Sequence, residues 1–220
     1  MSLAEEFAKR YAGLRSAYGT FTASNDLRED GKASGKNITI SKELSDKDLL
    51  GLWDGHLSGR QSVGIVAIDE TNSCVWGAID VDEYQLDLKD LAIKIAKQDL
   101  PLVLCRSKSG GAHIYIFLNE PVAAAMLQRK LRQIAASIGY GQAEIFPKQT
   151  KLLLDRGDRG STLNMPYFGG ENSTRYAYGK EGQALTPREF LDYAQTIELS
   201  PKQLEKLEAS PLNESIEWLD

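Results

Sequence analysis

The sequence predicts an α+β fold in which a ferredoxin-like (RRM-like) βαββαβ unit follows an N-terminal α/β subdomain and precedes C-terminal helices. Three observations lead to this prediction. Over residues 74–146, apolar strand-like runs and amphipathic helical repeats follow one another as strand, helix, strand, strand, helix, strand. The preceding segment mixes a helix, a polar stretch and a buried strand, and two Pro-containing helix starts follow residue 180. We expect an N-terminal subdomain at 1–73, the core at 74–170, and a helical appendage or linker at 181–220.

The composition is typical of a globular protein with one large domain. The 220 residues are 42% hydrophobic and 26% charged, and no apolar run approaches the roughly 18 residues that a membrane span needs. Glu5 and Glu6 lie where a signal peptide would need an apolar core. Cys74 and Cys105 each lie within an apolar run, which is typical of buried free thiols in a reducing compartment. We therefore expect a cytoplasmic protein that has no disulfide scaffold, no zinc site and no membrane partner.

Two helices are predicted before the core. A capping-box pattern at residues 2–5 is followed by apolar residues at helical spacing as far as Tyr18, which predicts a helix of about five turns. Residues 20–42 are rich in Gly, Ser, Asn, Asp and Lys, and this composition indicates a long loop or a pair of short irregular strands. A short helix is predicted at 45–53.

The core is expected to begin with a hairpin. A buried strand at 63–68 and the strand at 74–81 are separated by a short polar turn. After them, Asp87 is placed to cap a helix, while Pro121 and Gly139 are placed to open and end a second one. The predicted elements from there on are helices at 87–98, at 119–138 and from Thr186 and Ser200, and strands at 101–105, 112–118, 143–146 and 151–154.

An Asp-x-Asp pattern ends the strand at 74–81. Side chains alternate across a strand, so Asp80 and Asp82 point to one face while Ile79 and Val81 point to the other. Two carboxylates this close repel each other unless a cation lies between them, and hard divalent ions such as Mg²⁺ prefer oxygen ligands. The pattern therefore indicates half of a metal site for phosphoryl or nucleotidyl transfer. For a bare Asp-x-Asp, a solvated turn after the strand is the commoner explanation.

The predicted topology brings further polar residues to this pair. In a ferredoxin-like sheet the first and third strands are antiparallel neighbours, and the fourth strand flanks the first on its other side. The end of the first strand, with Asp80 and Asp82, then lies beside the starts of the third and fourth strands, which carry His113 and Glu144. The three carboxylates of Asp80, Asp82 and Glu144 could hold two metal ions about 4 Å apart.

The turn at 106–111 places small residues beside cations. Its glycines let the backbone approach a phosphate closely, and successive N–H groups can form an anion-binding nest. Lys108, Ser109 and His113 would add side-chain donors, with His113 donating to a phosphate oxygen. Opposite an acidic pair, we interpret this turn as a triphosphate cradle. The alternative is a plain β-hairpin turn, because Ser-Gly-Gly is common turn chemistry.

Positive charge is concentrated in the middle of the chain. Residues 101–180 carry a net charge of +6, although the whole chain carries −5, which suits an anionic ligand or an ordinary solvated surface. Four cations in this segment could bind triphosphate or a template backbone, or pair with Asp155 and Asp158 in a solvated loop: Lys148, Lys151, Arg156 and Arg159. Four aromatic residues beyond them could stack on bases, although we expect most to pack in the core: Tyr167, Phe168, Tyr176 and Tyr178.

Three segments resemble, in order and spacing, the three motifs of the archaeo-eukaryotic primase superfamily. They are Ile79-Asp80-Val81-Asp82, the run from Arg106 to His113, and Glu144-Ile145-Phe146-Pro147-Lys148-Gln149. The likeness covers roughly residues 50–170, including flanking segments at 56–59 and 163–166, and is closest to primase–polymerase domains of TOTE-type, CRISPR-associated or phage systems. It implies template-directed nucleotide polymerisation with Mg²⁺ or Mn²⁺, often without a primer, by a catalytic domain at 1–180.

The resemblance also implies roles for single residues. Asp80, Asp82 and Glu144 match the metal carboxylates, and Ser109 and His113 match the phosphate-binding motif. The expected nucleotide-binding set is Arg106, Lys108, Ser109, Gly111, His113, Lys148 and Asn164. Two departures are the Glu at position 144, where Asp is commoner, and a turn before His113 that is one residue short. The implied partners are a single-stranded DNA template and primer, nucleoside triphosphates, and a helicase or other module in a longer chain.

Three other functions compete with this interpretation. A ferredoxin-like sheet can bind single-stranded nucleic acid or a nucleotide without chemistry, and such a module would need aromatic platforms on its sheet face. A metal-dependent endonuclease of the rolling-circle type would need a His-x-His pair, whereas the chain has only His56 and His113. A nucleotide cyclase could use a similar acidic site.

Overall fold

The computed structural model of the chain describes residues 1–27, 33–83 and 85–208, with side chains throughout except at 22–27 and 33–37. These residues form six α-helices and two antiparallel four-stranded sheets, which confirms the predicted α+β class. No helix in these ranges is both long and apolar enough to cross a bilayer. The helices are α1 (Leu3–Arg10), α2 (Asp46–Leu57), α3 (Leu88–Lys97), α4 (Ala124–Ser137), α5 (Pro187–Thr196) and α6 (Pro201–Lys206), and the strands are β1 (Ala17–Leu27), β2 (Ala33–Ser41), β3 (Val63–Val66), β4 (Ser73–Val81), β5 (Val103–Arg106), β6 (Ala112–Ala123), β7 (Glu144–Phe146) and β8 (Thr162–Asn164).

The predicted ferredoxin-like topology is confirmed in the second sheet, which we call the core sheet. Its strand order is β5-β6-β4-β7, so the first strand of the βαββαβ unit, β4, lies between the third and the fourth. Both neighbours run antiparallel to β4. The other sheet, which we call the first sheet, has the order β2-β1-β3-β8. Its last strand comes from the segment after the βαββαβ unit, so the chain returns to the first sheet before the C-terminal helices.

Each face of the core sheet is covered by a different apolar cluster. On one face, Ile79 and Val81 of β4 pack in a cluster with residues of α3 and α4. On the other face, Trp76 and Ala78 pack in a cluster with α1, α2, α5 and the first sheet. An aromatic centre forms there, because the ring centroid of Tyr11 lies 5.3–6.3 Å from those of Phe7, Trp53, Trp76, Tyr115, Phe117 and Phe190. Burial on both faces explains why β4 is apolar until it reaches its acidic end.

The first helix is shorter than the predicted five turns. It ends at Arg10, and Leu14 then donates its N–H to the carbonyl of Val66, 3.0 Å away. At Gly13 an added Cβ would lie only 2.0 Å from the Val66 oxygen, so the chain passes too close to β3 for a helix to continue. The apolar residues that suggested a longer helix are nevertheless buried, although Tyr18 belongs to strand β1 and not to the helix.

Two further predictions in the N-terminal half are wrong. The alternatives predicted for 20–42, a long loop or a pair of short irregular strands, give too little strand, because β1 and β2 are 11 and 9 residues long and pair along their described residues with one irregularity in the register. The strand at 63–68 does not form a hairpin with β4, since β3 pairs with β1 and β8 in the first sheet. The turn between them carries the chain from one sheet to the other, and the Asp69 carboxylate accepts N–H groups from Thr71 and Ser73 there.

The second core helix begins five residues later than predicted, at Ala124. Residues 119–123 continue β6, in which Val122 pairs with Cys74 beyond an irregularity in the register. Pro121 therefore lies in an irregular strand end, a position that tolerates a residue without an N–H donor. The strand predicted at 151–154 is also absent, and a 3₁₀ turn forms at Leu154–Arg156.

Local capping signals predicted helix starts well. The capping boxes at Ser45, Thr186 and Ser200 all form, and Asp87 caps α3. Residues 209–220, which belong to the predicted helical appendage, lie outside the described residues, and the predicted domain boundaries stay a prediction.

His56 joins three parts of the fold through a buried ring. Its Nδ1 accepts the N–H of Val63 at 3.0 Å, so its Nε2, 2.8 Å from the Pro166 carbonyl, carries the proton and donates it. Burial, together with the nearby Arg175 cation, lowers the pKa of His56 from 6.5 to about 4. The ring is thus neutral at pH 7 and links α2, β3 and the segment after β8.

Acid should therefore weaken the fold through His56. The pKa of His56 is lower in the folded chain than in the unfolded chain. The stabilisation that its neutral ring contributes is therefore fully present above pH 6.5 and is lost as the pH falls towards 4. Between pH 7 and pH 5 we expect a loss of about 2 kcal/mol in the free energy of unfolding, measured by urea denaturation. His56→Gln should be less stable at pH 7 but lack most of this slope. Equal slopes for the variant and the wild type would contradict this role.

Candidate active site

A cross-strand row of polar residues lies at one edge of the core sheet. Asp80 on β4 is in register with His113 on β6 and with Glu144 on β7, and Cys105 on β5 extends the row. Residues directly opposite each other in antiparallel strands project to the same face. That face is the one opposite α3 and α4, because the neighbouring Ile79 is buried among the helices. The predicted convergence of Asp80, His113 and Glu144 is thus confirmed as geometry.

His113 is held between two partners. Its Nε2 lies 3.4 Å from Oδ1 of Asp80, and its Nδ1 lies 3.2 Å from the hydroxyl of Tyr115. Burial raises the pKa of Tyr115 well above 10, so its hydroxyl keeps its proton at neutral pH. His113 is only 7% exposed, and both ring nitrogens face protein atoms. Its role as a donor to phosphate stays a prediction, and the structure itself shows a Tyr115–His113–Asp80 link.

The turn between β5 and β6 is tied to the second aspartate. Ser109 donates its hydroxyl to Oδ1 of Asp82 at 3.3 Å, and the hydroxyl oxygens of Ser107 and Ser109 lie 3.1 Å apart. Within the turn, Ser107 donates its N–H to the carbonyl of Gly111, and Gly110 donates to Ser107. These two N–H groups are already used within the turn, which leaves fewer backbone donors for the predicted nest.

Gly111 sets the distance between this turn and the acidic end of β4. A Cβ added at position 111 would lie 2.2 Å from the carbonyl oxygen of Val81 and 3.4 Å from Cα of Asp82. Any larger residue would push the turn away from the aspartates. The structure therefore gives Gly111 a packing role beside the expected nucleotide-binding one.

Glu144 forms an ion pair with Lys148, four residues later in the chain. Its carboxylate lies 2.5 Å from Nζ of Lys148, and its side chain is 60% exposed. Lys148 also lies over the ring of Phe146, 5.0 Å from its centroid. The third acid and the predicted nucleotide-binding lysine are thus neighbours at the edge of the row.

The carboxylates suit a hard divalent cation in their chemistry. Asp80, Asp82 and Glu144 offer only oxygen donors, the ligand type that Mg²⁺ and Mn²⁺ prefer. In the described part of the chain, however, no three His, Cys, Asp or Glu side chains are placed so that together they could hold a metal ion. Each carboxylate is turned towards a protein partner, namely His113, Ser109 or Lys148. Binding a cation between them would require these contacts to be exchanged.

Three other predicted nucleotide-binding residues contact groups outside the row. Nζ of Lys108 lies 2.9 Å from the centroid of the Phe21 ring on β1, so this side chain reaches across to the first sheet. Arg106 donates from Nη1 to the carbonyl of Thr174 at 3.4 Å. Asn164 lies on β8, opposite Gly64 in the first sheet. Neither Arg106 nor Asn164 shows a contact with the three carboxylates in the described residues, and their nucleotide-binding roles stay predictions.

The sequence interpretation missed a segment beside β5. Ala177 forms an antiparallel bridge with Cys105, and Tyr178 donates its N–H to the carbonyl of Leu104. The alternation of Tyr176, Ala177 and Tyr178 was a strand signal. The segment also places Arg175 at the site, which no sequence motif indicated. Of the aromatic residues considered for base stacking, Tyr167 is buried.

Comparison with protein families gives one match. The family model described as "TOTE conflict system, Archaeo-Eukaryotic Primase domain" matches residues 6–185, which is most of the chain. The comparison with curated proteins found no match. The family match extends beyond the roughly 50–170 region in which the motifs were noticed and includes both sheets.

Replacing Gly111 by Ala should disturb the site. Because the new Cβ would overlap the Val81 carbonyl, we expect a loss of about 1–3 kcal/mol in the free energy of unfolding, measured by urea denaturation. Gly51→Ala is the matched control, since nothing lies within 4 Å of its added Cβ in α2. The control should gain about 0.5–1 kcal/mol from its better helix propensity. An unchanged stability for Gly111→Ala would contradict the close approach.

Proposed function

The chain belongs to the archaeo-eukaryotic primase superfamily, as a TOTE-type domain, and from that premise we propose that it is a DNA primase–polymerase. At the level of the family, its chemistry is primase-like nucleotidyl transfer. The finer proposal is template-directed strand synthesis on single-stranded DNA by a two-metal mechanism. The observation that carries it is the register that puts Asp80 between His113 and Glu144 at an accessible edge of the core sheet.

Asp80, Asp82 and Glu144 would supply the negative charge that holds Mg²⁺ or Mn²⁺ at this edge. The chemistry that two bound divalent ions supply in such sites is activation of a 3′-hydroxyl and stabilisation of the leaving pyrophosphate. In this chain, His113 orients the Asp80 carboxylate, and Ser109 orients that of Asp82. These contacts would hold the two aspartates at the edge of the sheet until a bound cation takes the place of His113 and Ser109 as their partner.

The turn between β5 and β6 would bind the triphosphate. Ser109 lies beside Asp82, and Lys148 lies beside Glu144, so a hydroxyl donor and a cation flank the acids. Lys108 would add a second cation by leaving the Phe21 ring. A triphosphate carries several negative charges, and charge-assisted hydrogen bonds from these groups would fix its position.

The template and primer would lie against the basic segment after β7. Lys151 and Arg156 are exposed and form no ion pair within the described residues. The alternative, that they pair with Asp155 and Asp158, therefore loses support. Arg159 donates to Ser41 of β2, so this segment reaches the first sheet. Exposed cations of this kind bind phosphate backbones irrespective of sequence.

The burial of the aromatic residues on the sheet face argues against a module that binds nucleic acid without catalysis. Such a module would stack bases on aromatic residues of its sheet face. The β6 residues Tyr115 and Phe117 are on that face, but they are 0% and 1% exposed under α1 and the first sheet. No base could reach them, whereas the acidic row remains accessible at the edge.

Removing the aspartates should abolish synthesis. Asp80→Asn and Asp82→Asn keep the side-chain shape but lose the charge, and we expect each to lower primer extension by about 100-fold or more. The assay uses single-stranded template, labelled primer and deoxynucleoside triphosphates with Mg²⁺ or Mn²⁺. A parallel reaction with unprimed template and each triphosphate set tests for synthesis without a primer.

Asp90→Asn is the matched control, because Asp90 lies exposed on α3 and pairs only with Lys94 in a contact along the helix. It should extend primers as the wild type does. Wild-type-like extension by the Asp80 and Asp82 variants would rule out the proposed mechanism, and a cyclic product from ATP or GTP would point to a cyclase.

A further inference from the structure

Arg175 lies at the same face of the core sheet as the acidic row. The segment 174–178 runs antiparallel to β5, with Ala177 opposite Cys105. Ala177 and Cys105 are buried in the cluster on the face opposite α3 and α4. Arg175 lies at a bend two residues before Ala177, and its cation interacts with Tyr115, which is buried on this face. The order across this edge is therefore Glu144, Asp80, His113, Cys105 and the Arg175 segment.

The guanidinium group of Arg175 reaches towards the middle of that row. Its Cζ lies 5.1 Å from the centroid of the Phe168 ring. The cation interacts electrostatically with the hydroxyl of Tyr115, whose oxygen is 3.2 Å from Nδ1 of His113. After burial itself, Arg175 is also a cause of the lowered pKa of His56. Since Tyr115 is on β6, the strand beside β4, the cation lies near the Tyr115–His113–Asp80 link.

The charge of Arg175 has no carboxylate partner in the described residues. Its Nη1 is buried and makes no hydrogen bond there. Arg10 and Arg188, by contrast, each pair with a carboxylate. Burial lowers the pKa of Arg175 below its usual range, but a guanidinium remains charged at neutral pH. A buried donor without a partner is unfavourable, more so when it is charged, so an anion bound here would be stabilised.

We propose that Arg175 binds phosphate oxygens of the incoming nucleoside triphosphate, on the side of His113 away from Asp80. This inference rests on the proposed function and assigns a further residue to it. Arginine suits this role because its planar fork of N–H groups can donate two parallel hydrogen bonds to a phosphate. The Arg175 cation would bind one end of the triphosphate, while divalent ions held by the carboxylates would neutralise the charge at its other end. Phe168 and the backbone of 173–177 keep the arginine in place.

The test measures nucleotide affinity as a function of phosphate number. A fluorescent dATP analogue bound to the full chain is displaced by dATP, dADP or dAMP, with the wild type, Arg175→Gln and Arg175→Lys compared. We expect Arg175→Gln to weaken dATP binding by about tenfold and dAMP binding by less than about twofold. Arg175→Lys should be weakened by a few-fold, because an ammonium lacks the planar fork. In primer extension, Arg175→Gln should raise KM for dATP more than it lowers kcat.

Arg132→Gln is the charge-matched control, because Arg132 is exposed on α4, which packs on the other face of the sheet. It should bind all three nucleotides as the wild type does. If the wild type binds dATP and Arg175→Gln binds it equally well, the inference is overturned while the proposed function stands. If Arg175→Gln does not fold, wild-type affinity for dATP in Arg175→Lys overturns it in the same way. A wild type that binds no dATP would overturn the proposed function itself.

Discussion

The antiparallel register of β4 between β6 and β7 is the constraint on which the site depends. It places Asp80 opposite His113 on one side and Glu144 on the other. A slip by one residue would turn the Asp80 carboxylate to the face covered by α3 and α4, among aliphatic side chains. The register is fixed because β4 is buried on both faces, with Ile79 against the helices and Trp76 against the aromatic centre. Packing far from the edge thus decides which residues meet at it.

The polar row lies where the two apolar clusters end. Asp80 is partly exposed there, whereas His113 beside it is almost buried. Exposure to solvent therefore changes between two neighbouring residues of the row. Negative groups are concentrated at β4 and β7, whereas the partly buried cation of Arg175 approaches from beyond β5. A site that combines both signs of charge can hold a cation and a phosphorylated ligand together. The Lys108–Phe21 contact connects the turn between β5 and β6 to the first sheet.

Local signals in the sequence were sufficient for some elements and misleading for others. The capping box at Ser2 and the cap at Thr186 predicted helix starts because each depends on hydrogen bonds within four residues. The helical spacing up to Tyr18 correctly predicted which residues are buried. It did not predict the length of α1, which ends at Arg10 because the following residues contact β3. The local sequence could not predict which strands pair with the strand at 63–68, because any neighbouring strand can form hydrogen bonds with its backbone. In the structure β1 and β8 are its partners.

The sequence by itself determined the order of elements in the core, and with it the meeting of Asp80, His113 and Glu144, because a βαββαβ order allows few sheet topologies. It also supplied the three motifs that point to the family. Only the tertiary structure decided where the side chains turn: Glu144 towards Lys148, and Arg175 without a carboxylate partner among the described residues. These outcomes depend on contacts between segments distant in sequence, whose distances and burial no local pattern of residues encodes.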